Sequence, residues 1–369
     1  MIINKSEHNL FFLLALTVLV ISGCEKRQHN ESGTGTVVII DSDMVESFDD
    51  GIAFMMLLGS DNIDVKGLTT VTTNVWAQEG LAHGIRLGEL CGGHDVEYMA
   101  GAQYPMRPGR LDTIDDEIDS APGQDASWRG AVSYPEVTDW ESYYMERYGR
   151  QPEIRPSGQD ASEFIAQQIL GSPGKVTILA IGACTNVAKA IIAHPEIPEK
   201  AREIIYMGGA VFCPGNTTTY AEMNFLYDPE AAAICLRAPF PKQTIVSLDV
   251  CNTVGMDRDR FMEIYDSIRS EEVKSLVRSN FPYPEFTDDP SSIQLVWDLI
   301  SAAIAVNPDI ITEYKESRLD VDDIPGSPTY GKSYETDLES RQKILIPLKI
   351  DQKKFWDIVR SGLNQSSGR

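Results

Sequence analysis

Residues 37–54, VVIIDSDMVESFDDGIAF, gather Asp41, Asp43, Asp49 and Asp50 behind an apolar run, with no lysine or arginine among them. Carboxylates held so close repel and raise one another's pKa values. Three arrangements relieve that. A hard divalent cation with oxygen ligands can neutralise the group. A reacting molecule can use one carboxylate as base or nucleophile. Or the side chains can face water. Asp49 has a plain reading as a helix N-cap, and acidic residues in a first helical turn gain ~0.3–1 kcal/mol each. That reading does not account for four. An EF-hand is excluded, because its glycine and closing glutamate are not at the required spacings.

Other polar residues stand in apolar surroundings. EIIYMGGAVFCPGNTTTYAEMNFLYDPEAAAI (203–234) carries Asn216, Glu222, Asn224 and Asp228. Asp228 and Pro229 read as the N-cap and first turn of a helix. Asn216, Glu222 and Asn224 suit a polyhydroxylated sugar, since Asn both donates and accepts and Glu accepts from hydroxyls. LTTVTTNVWAQ (68–78) ends its polar run at Asn74, which could be a simple turn residue. VWDLISAAIAVNPDI (296–310) places Asp298 early in an apolar helix, where a single Asp could cap it.

The elements that must position these residues alternate. Strands are expected at 37–40, 63–71, 96–101, 176–182, 203–209, 244–250 and 344–350, and most are continuously apolar, as strands buried on both faces are. Helices are expected at about 49–59, 76–91, 160–171, 186–193, 229–237 and 293–306. This predicts an α/β fold, a Rossmann-like, mainly parallel central sheet with helices on both faces. Such sheets bind ligands at the carboxyl ends of their strands. Residues 102–159 and 280–292 are rich in Pro, Gly, Asp and aromatics and read as irregular. No linker divides the chain, so a single domain over 37–362 is expected, with 363–369 as a tail.

Two families share an apolar strand running into paired aspartates. Haloacid-dehalogenase-type phosphatases begin with DxD, but the lysine and second acidic motif they need cannot be placed. The nucleoside hydrolases open on DxDxGxDD. Here the second Asp pair comes two residues later and Val45 stands where Gly is usual. VTILAIGACTNVAKAIIAHPEI (176–197) resembles their strand, G-x-x-TN and helix. Residues 203–234 resemble their MGGA…GN…AExNxxxDPEAA pattern, with Met207, Asn216, Glu222, Asn224 and Asp228 on it. Residues 68–78, 296–310 and 330–359 resemble further family segments, so the likeness covers about 37–362.

The resemblance implies an N-glycosidase, a calcium-dependent hydrolase of ribonucleosides. It implies a Ca²⁺ site formed by Asp43, Asp50, Asp298 and the backbone carbonyl of Ile181, with Asp43 also the general base. Asp41 would support this group and Asp49 would bind ribose hydroxyls, while Asn74, Met207, Asn216, Glu222 and Asn224 would line the sugar site. Many members carry His before the late Asp; here it is Trp297. Trp128, in SWRG, falls near a second family His. No His lies in these motifs, so a His general acid is not expected. Two indoles that sandwich the base point to purine preference. The other readings are that Trp297 is core and Trp128 a loop anchor, that the substrate is another N-riboside, or that the chain is a calcium-dependent binder without turnover.

The formal charge of −23 leaves no basic stripe for nucleic acid, so the expected partner is a small-molecule ribonucleoside, with a homodimer or homotetramer as the assembly. Residues 1–23 read as a signal peptide, since LFFLLALTVLVIS is shorter than the roughly 20 residues of a span. ISGC resembles a bacterial lipobox that would place lipid on Cys24, the only expected membrane contact. Residues 24–36 read as a tether. The expected location is the bacterial cell envelope, in the outer membrane because Glu25 rather than Asp follows Cys24. The remaining five cysteines show no CxxC spacing and read as buried small residues.

Overall fold

The computed structural model describes residues 35–280 and 282–366. The expected signal peptide, Cys24 and most of the tether lie outside the described residues. Eleven strands are formed: β1 (Thr36–Ser42), β2 (Ile63–Thr70), β3 (Glu97–Ala100), β4 (Val176–Ala180), β5 (Glu203–Met207), β6 (Gln243–Val246), β7 (Gly255–Asp257), β8 (Ile293–Leu295), β9 (Ile311–Val321), β10 (Ser333–Glu335) and β11 (Lys343–Ile350). Nine make one sheet in the order β10-β9-β11-β6-β5-β4-β1-β2-β3, and β7 pairs with β8 in a separate ribbon. From β3 to β11 every pairing is parallel. β9 and β10 close one side antiparallel. The expected α/β architecture is therefore present, as a single domain.

Alternation along β1 explains why the sheet has helices on both faces. Val38 and Ile40 pack with the helices Asp49–Gly59, Ala77–Cys91, Asp298–Val306 and Gln352–Ser366. Ile39 turns to the other face, with Ile178 and Ile204 and the helices Ala161–Gly171, Thr185–Ala193 and Pro229–Arg237. All three β1 residues are fully buried. Burying such a side chain contributes about 1.5–3 kcal/mol, so a polar residue in this run would cost the sheet its centre.

β1 lies between β2 and β4, where the strand order reverses direction. Crevices of parallel sheets form outside the carboxyl ends of strands at such a point. The last residues of β1, β2, β4 and β5 therefore share one edge.

The structure departs from the sequence reading in several places. The strand expected at 244–250 stops at Val246, and Leu248–Cys251 turn into a short helix. The helix expected from 293 begins at Asp298, because 293–295 pair with β7. Residues 102–159 contain the helices Leu111–Ser120 and Trp140–Tyr148, and 280–292 contain Tyr283–Asp288. The terminal helix runs through Ser366, with Leu363 and Ser366 buried, into the expected tail. The five cysteines from Cys91 onward are free, and all but the half-buried Cys213 are buried, as expected. Among the described residues no helix is long and apolar enough to cross a membrane.

Candidate active site

At the end of β1 the four aspartates are buried together. Asp41 still belongs to the strand. Its Oδ1 accepts from Thr69 Oγ1 at 2.6 Å and Asn186 Nδ2 at 2.7 Å. Asn186 also donates to the Thr70 carbonyl and accepts from Ala102 N. Asp41 thus ties β1 to β2 and to the helix after β4. Burial pushes its pKa up to about 7 against those two hydrogen bonds.

Asp43 is the first residue past the strand. Its Oδ2 accepts from Asn74 N at 2.7 Å. Its Oδ1 is enclosed and has no partner. Space beside it is kept by Gly182, where a Cβ would stand 3.0 Å from that oxygen and 2.7 Å from Asp43 N. Burial raises the Asp43 pKa to about 7, with the charge of Glu222 adding to it and the Asn74 amide opposing.

Asp50 accepts from Ser42 Oγ at 2.6 Å. Its pKa stands well above the usual value, first through burial and then through the charge of Asp43. Asp298 is raised in the same way by burial, then by Asp50, Asp49 and Asp43. Asp43, Asp50 and Asp298, from two distant segments, thus raise one another's pKa values through their charges.

Asp49 Oδ2 accepts from the N–H groups of Trp297 (2.6 Å) and Asp298 (2.8 Å), and its Oδ1 from Leu299 N (3.2 Å). Both oxygens thus reach the first turn of the late helix, and Oδ1, with one bond, keeps a lone pair for a further donor. Asp49 does not cap its own helix, where Phe48 holds the N-cap position. A carboxylate at a helix N-terminus is favoured by its exposed N–H groups and dipole.

The opposite wall comes from β5 and the short helix Met223–Tyr227. Glu222 is that helix's N-cap, accepting from Asn224 N (2.8 Å) and Phe225 N (3.2 Å). It also accepts from Gly209 N at 2.9 Å, and burial raises its pKa to about 7. Asn224 Nδ2 donates to the carbonyls of Met207 (3.1 Å) and Ile181 (3.3 Å). Its Oδ1 is buried without a partner. Asp228 and Pro229 open the next helix as expected.

Trp128 reaches this edge, its Nε1 donating to Asn74 Oδ1 at 2.8 Å. Trp297 is half-buried beside Asp298, with an enclosed Nε1 that has no partner. The Asn216 carbonyl accepts from Asp125 N and its side chain from Thr217. Among the described residues no hydrogen bond joins it to the carboxylates. His83 is held by Tyr148 and lies 3.8 Å from Glu46, and His194 is held by Glu163; among the described residues neither histidine hydrogen-bonds the four aspartates. The sequence reading missed Ser42, Thr69 and Asn186 as supports; Asn186 was visible in the G-x-x-TN pattern.

The donor set suits a hard divalent cation. It is all oxygen, it includes the unpartnered Asp43 Oδ1, and its members repel one another. Among the described residues no three acidic, histidine or cysteine side chains close on a single point. A cation placed among these carboxylates would relieve the repulsion between them.

Residues 38–357 match the model of the inosine-uridine preferring nucleoside hydrolase family. Uridine nucleosidase 1 of Arabidopsis thaliana is 28% identical over 76% of this chain and 76% of its own length. The pyrimidine-specific ribonucleoside hydrolase RihA of Citrobacter koseri is 32% identical over 58% of this chain and 62% of its own. The solved purine-preferring ribonucleoside hydrolase from Gardnerella vaginalis superimposes with a TM-score of 0.71 at 21% identity, over 90% of this chain and 99% of that one. With its fold, its paired aspartates and a family match over most of its length, the chain belongs to the inosine-uridine preferring nucleoside hydrolases.

Proposed function

We propose that the chain hydrolyses the N-glycosidic bond of ribonucleosides, releasing free base and ribose, with purine nucleosides preferred. The observation that carries this is Asp43: a buried carboxylate with one oxygen fixed by Asn74 N and the other unpartnered. A water lying against that Oδ1 can give it a proton as it attacks the anomeric carbon, with Asp43 as general base. Departure of the base leaves oxocarbenium character on the sugar. Glu222 and the unpartnered Asn224 Oδ1 are acceptors to which ribose hydroxyls can donate.

Asp43, Asp50, Asp298 and the Ile181 carbonyl would hold Ca²⁺, which supplies charge that orients the ribose diol and acidifies the water. Among the described residues the Ile181 carbonyl accepts one long bond, from Asn224, and has a lone pair to give. With no histidine at the site, help for the leaving base falls to Trp297, where the family commonly has His. Its indole face can stack on a purine and favour the protonated base. The names of the relatives in plants and in Citrobacter support a second reading, uridine as the preferred nucleoside. A panel of inosine, guanosine, adenosine, uridine and cytidine, assayed for free base with and without a calcium chelator, decides. Uridine hydrolysed as fast as inosine overturns the purine preference, and no base released from any overturns the activity.

A cell-envelope location through lipid on Cys24 remains part of the proposal, as does a homodimer or homotetramer. Labelling with a fatty-acid analogue and a Cys24→Ala variant test the first, and sedimentation tests the second.

A further inference from the structure

We propose that Phe48, carried by the residues that lengthen the Asp motif, is a positioning residue that sets base preference by fixing the Trp297 indole. This rests on the nucleoside reading above. The Phe48 and Trp297 rings meet edge to face, with centroids 6.1 Å apart and planes at 83°. That is a favoured aromatic geometry, with the positive edge of one ring against the negative face of the other. Asp49, the next residue, binds the backbone N–H of Trp297. Adjacent residues of one segment therefore hold Trp297 at its ring and at its main chain.

The segment is itself fixed. Gly51 N donates to the Val45 carbonyl at 3.1 Å and Ile52 N to the Phe48 carbonyl at 2.9 Å. A Cβ at Gly51 would stand 2.1 Å from the Glu46 carbonyl, so only glycine lets the loop fold back over the helix start. Glu46 is buried, and its Oε2 accepts from Arg147 Nη2 at 2.7 Å. The same nitrogen donates to Asn280 Oδ1 at 2.7 Å. The longer Asp motif is thereby joined to helix Trp140–Tyr148 and to the end of helix Glu271–Ser279.

The tilt of the indole decides how much of its face meets a base, and a two-ring purine offers a larger face to stack on than a one-ring pyrimidine. Removal of the Phe48 edge should therefore change the two classes unequally.

The test is kcat/KM for inosine and uridine, by release of free base, in the wild type, Phe48→Ala and Phe48→Tyr. Phe48→Ala is expected to move the inosine-to-uridine ratio by fivefold or more, through KM more than kcat. Phe48→Tyr keeps the ring edge and should return the ratio to within twofold. If Phe48→Ala does not fold, Phe48→Leu carries the same expectation. Both nucleosides slowed by one factor, or an unmoved ratio in an active protein, overturn this inference alone. A wild type that releases base from neither nucleoside overturns it together with the nucleoside reading.

Discussion

Asp49 holds Trp297 by its backbone: the Trp297 N–H donates to Asp49 Oδ2 at 2.6 Å, across 248 residues of sequence. The amides of Asp298 and Leu299 complete the cap. One carboxylate thereby fixes where the late helix begins and how Asp298 is presented to Asp43 and Asp50.

Asp49→Ala should therefore act in two ways. Loss of a capping side chain costs about 1–2 kcal/mol, read as a lower urea midpoint. Asp298 and Trp297 also lose their anchor, so kcat/KM falls. Asp49→Asn keeps one acceptor oxygen and should lose less of both. Unchanged stability in Asp49→Ala would remove the capping role.

Asp43→Asn preserves shape but cannot take a proton. Loss of a positioned general base lowers kcat about 10²–10⁴-fold. Circular dichroism should be unchanged. A variant that keeps wild-type kcat would place the base elsewhere, and a wild type with binding but no turnover would favour a nucleoside-binding role.

Calcium should stabilise as well as activate. A ligand bound only by the native state, present at a hundred times its Kd, adds about 2.7 kcal/mol. The thermal midpoint should rise with free calcium and fall in chelator, and Asp298→Asn should blunt the rise. A midpoint indifferent to calcium in the wild type sinks the metal assignment.

Asp320 offers a pH test away from the site. Burial raises its carboxyl, but Arg237, the Val321 amide and Arg341 outweigh that and hold it below the usual value. Arg237 Nε donates to Oδ1 at 2.8 Å and Arg341 Nε to Oδ2 at 3.0 Å. A depressed folded-state pKa gives stability that is present above the unfolded value, about 3.9, and is lost as pH falls through the folded one. Asp320→Asn should be less stable than wild type at pH 7, and the gap should close as pH drops below 4. A gap constant from pH 7 to 3 would contradict the ion-pair account.

Much of the site was legible because its residues sit in fixed local patterns. The strand before Asp41, the Asp228–Pro229 helix start and the AExN segment each declare themselves within a few residues. Asp49 did not, because its partners are remote and its neighbours suggested a cap for its own helix. β9 was also unread: ITEYKESRLDV is mostly polar and exposed, being an antiparallel strand near the sheet's side rather than a buried one. Helix Trp140–Tyr148 was missed for a similar reason, since Tyr144 is its only buried residue. Its importance lies in Arg147, whose partner Glu46 is 101 residues away.

The position of β1 between β2 and β4 has a consequence for assembly. β2 follows at residue 63, but β4 arrives only at residue 176, and Asp298 later still. During synthesis the aspartates of residues 41–50 emerge long before the residues that neutralise, cap or cradle them. Contacts so far apart in the chain form slowly. The buried group of Asp43, Asp50 and Asp298 therefore cannot assemble until nearly all of the chain has been made.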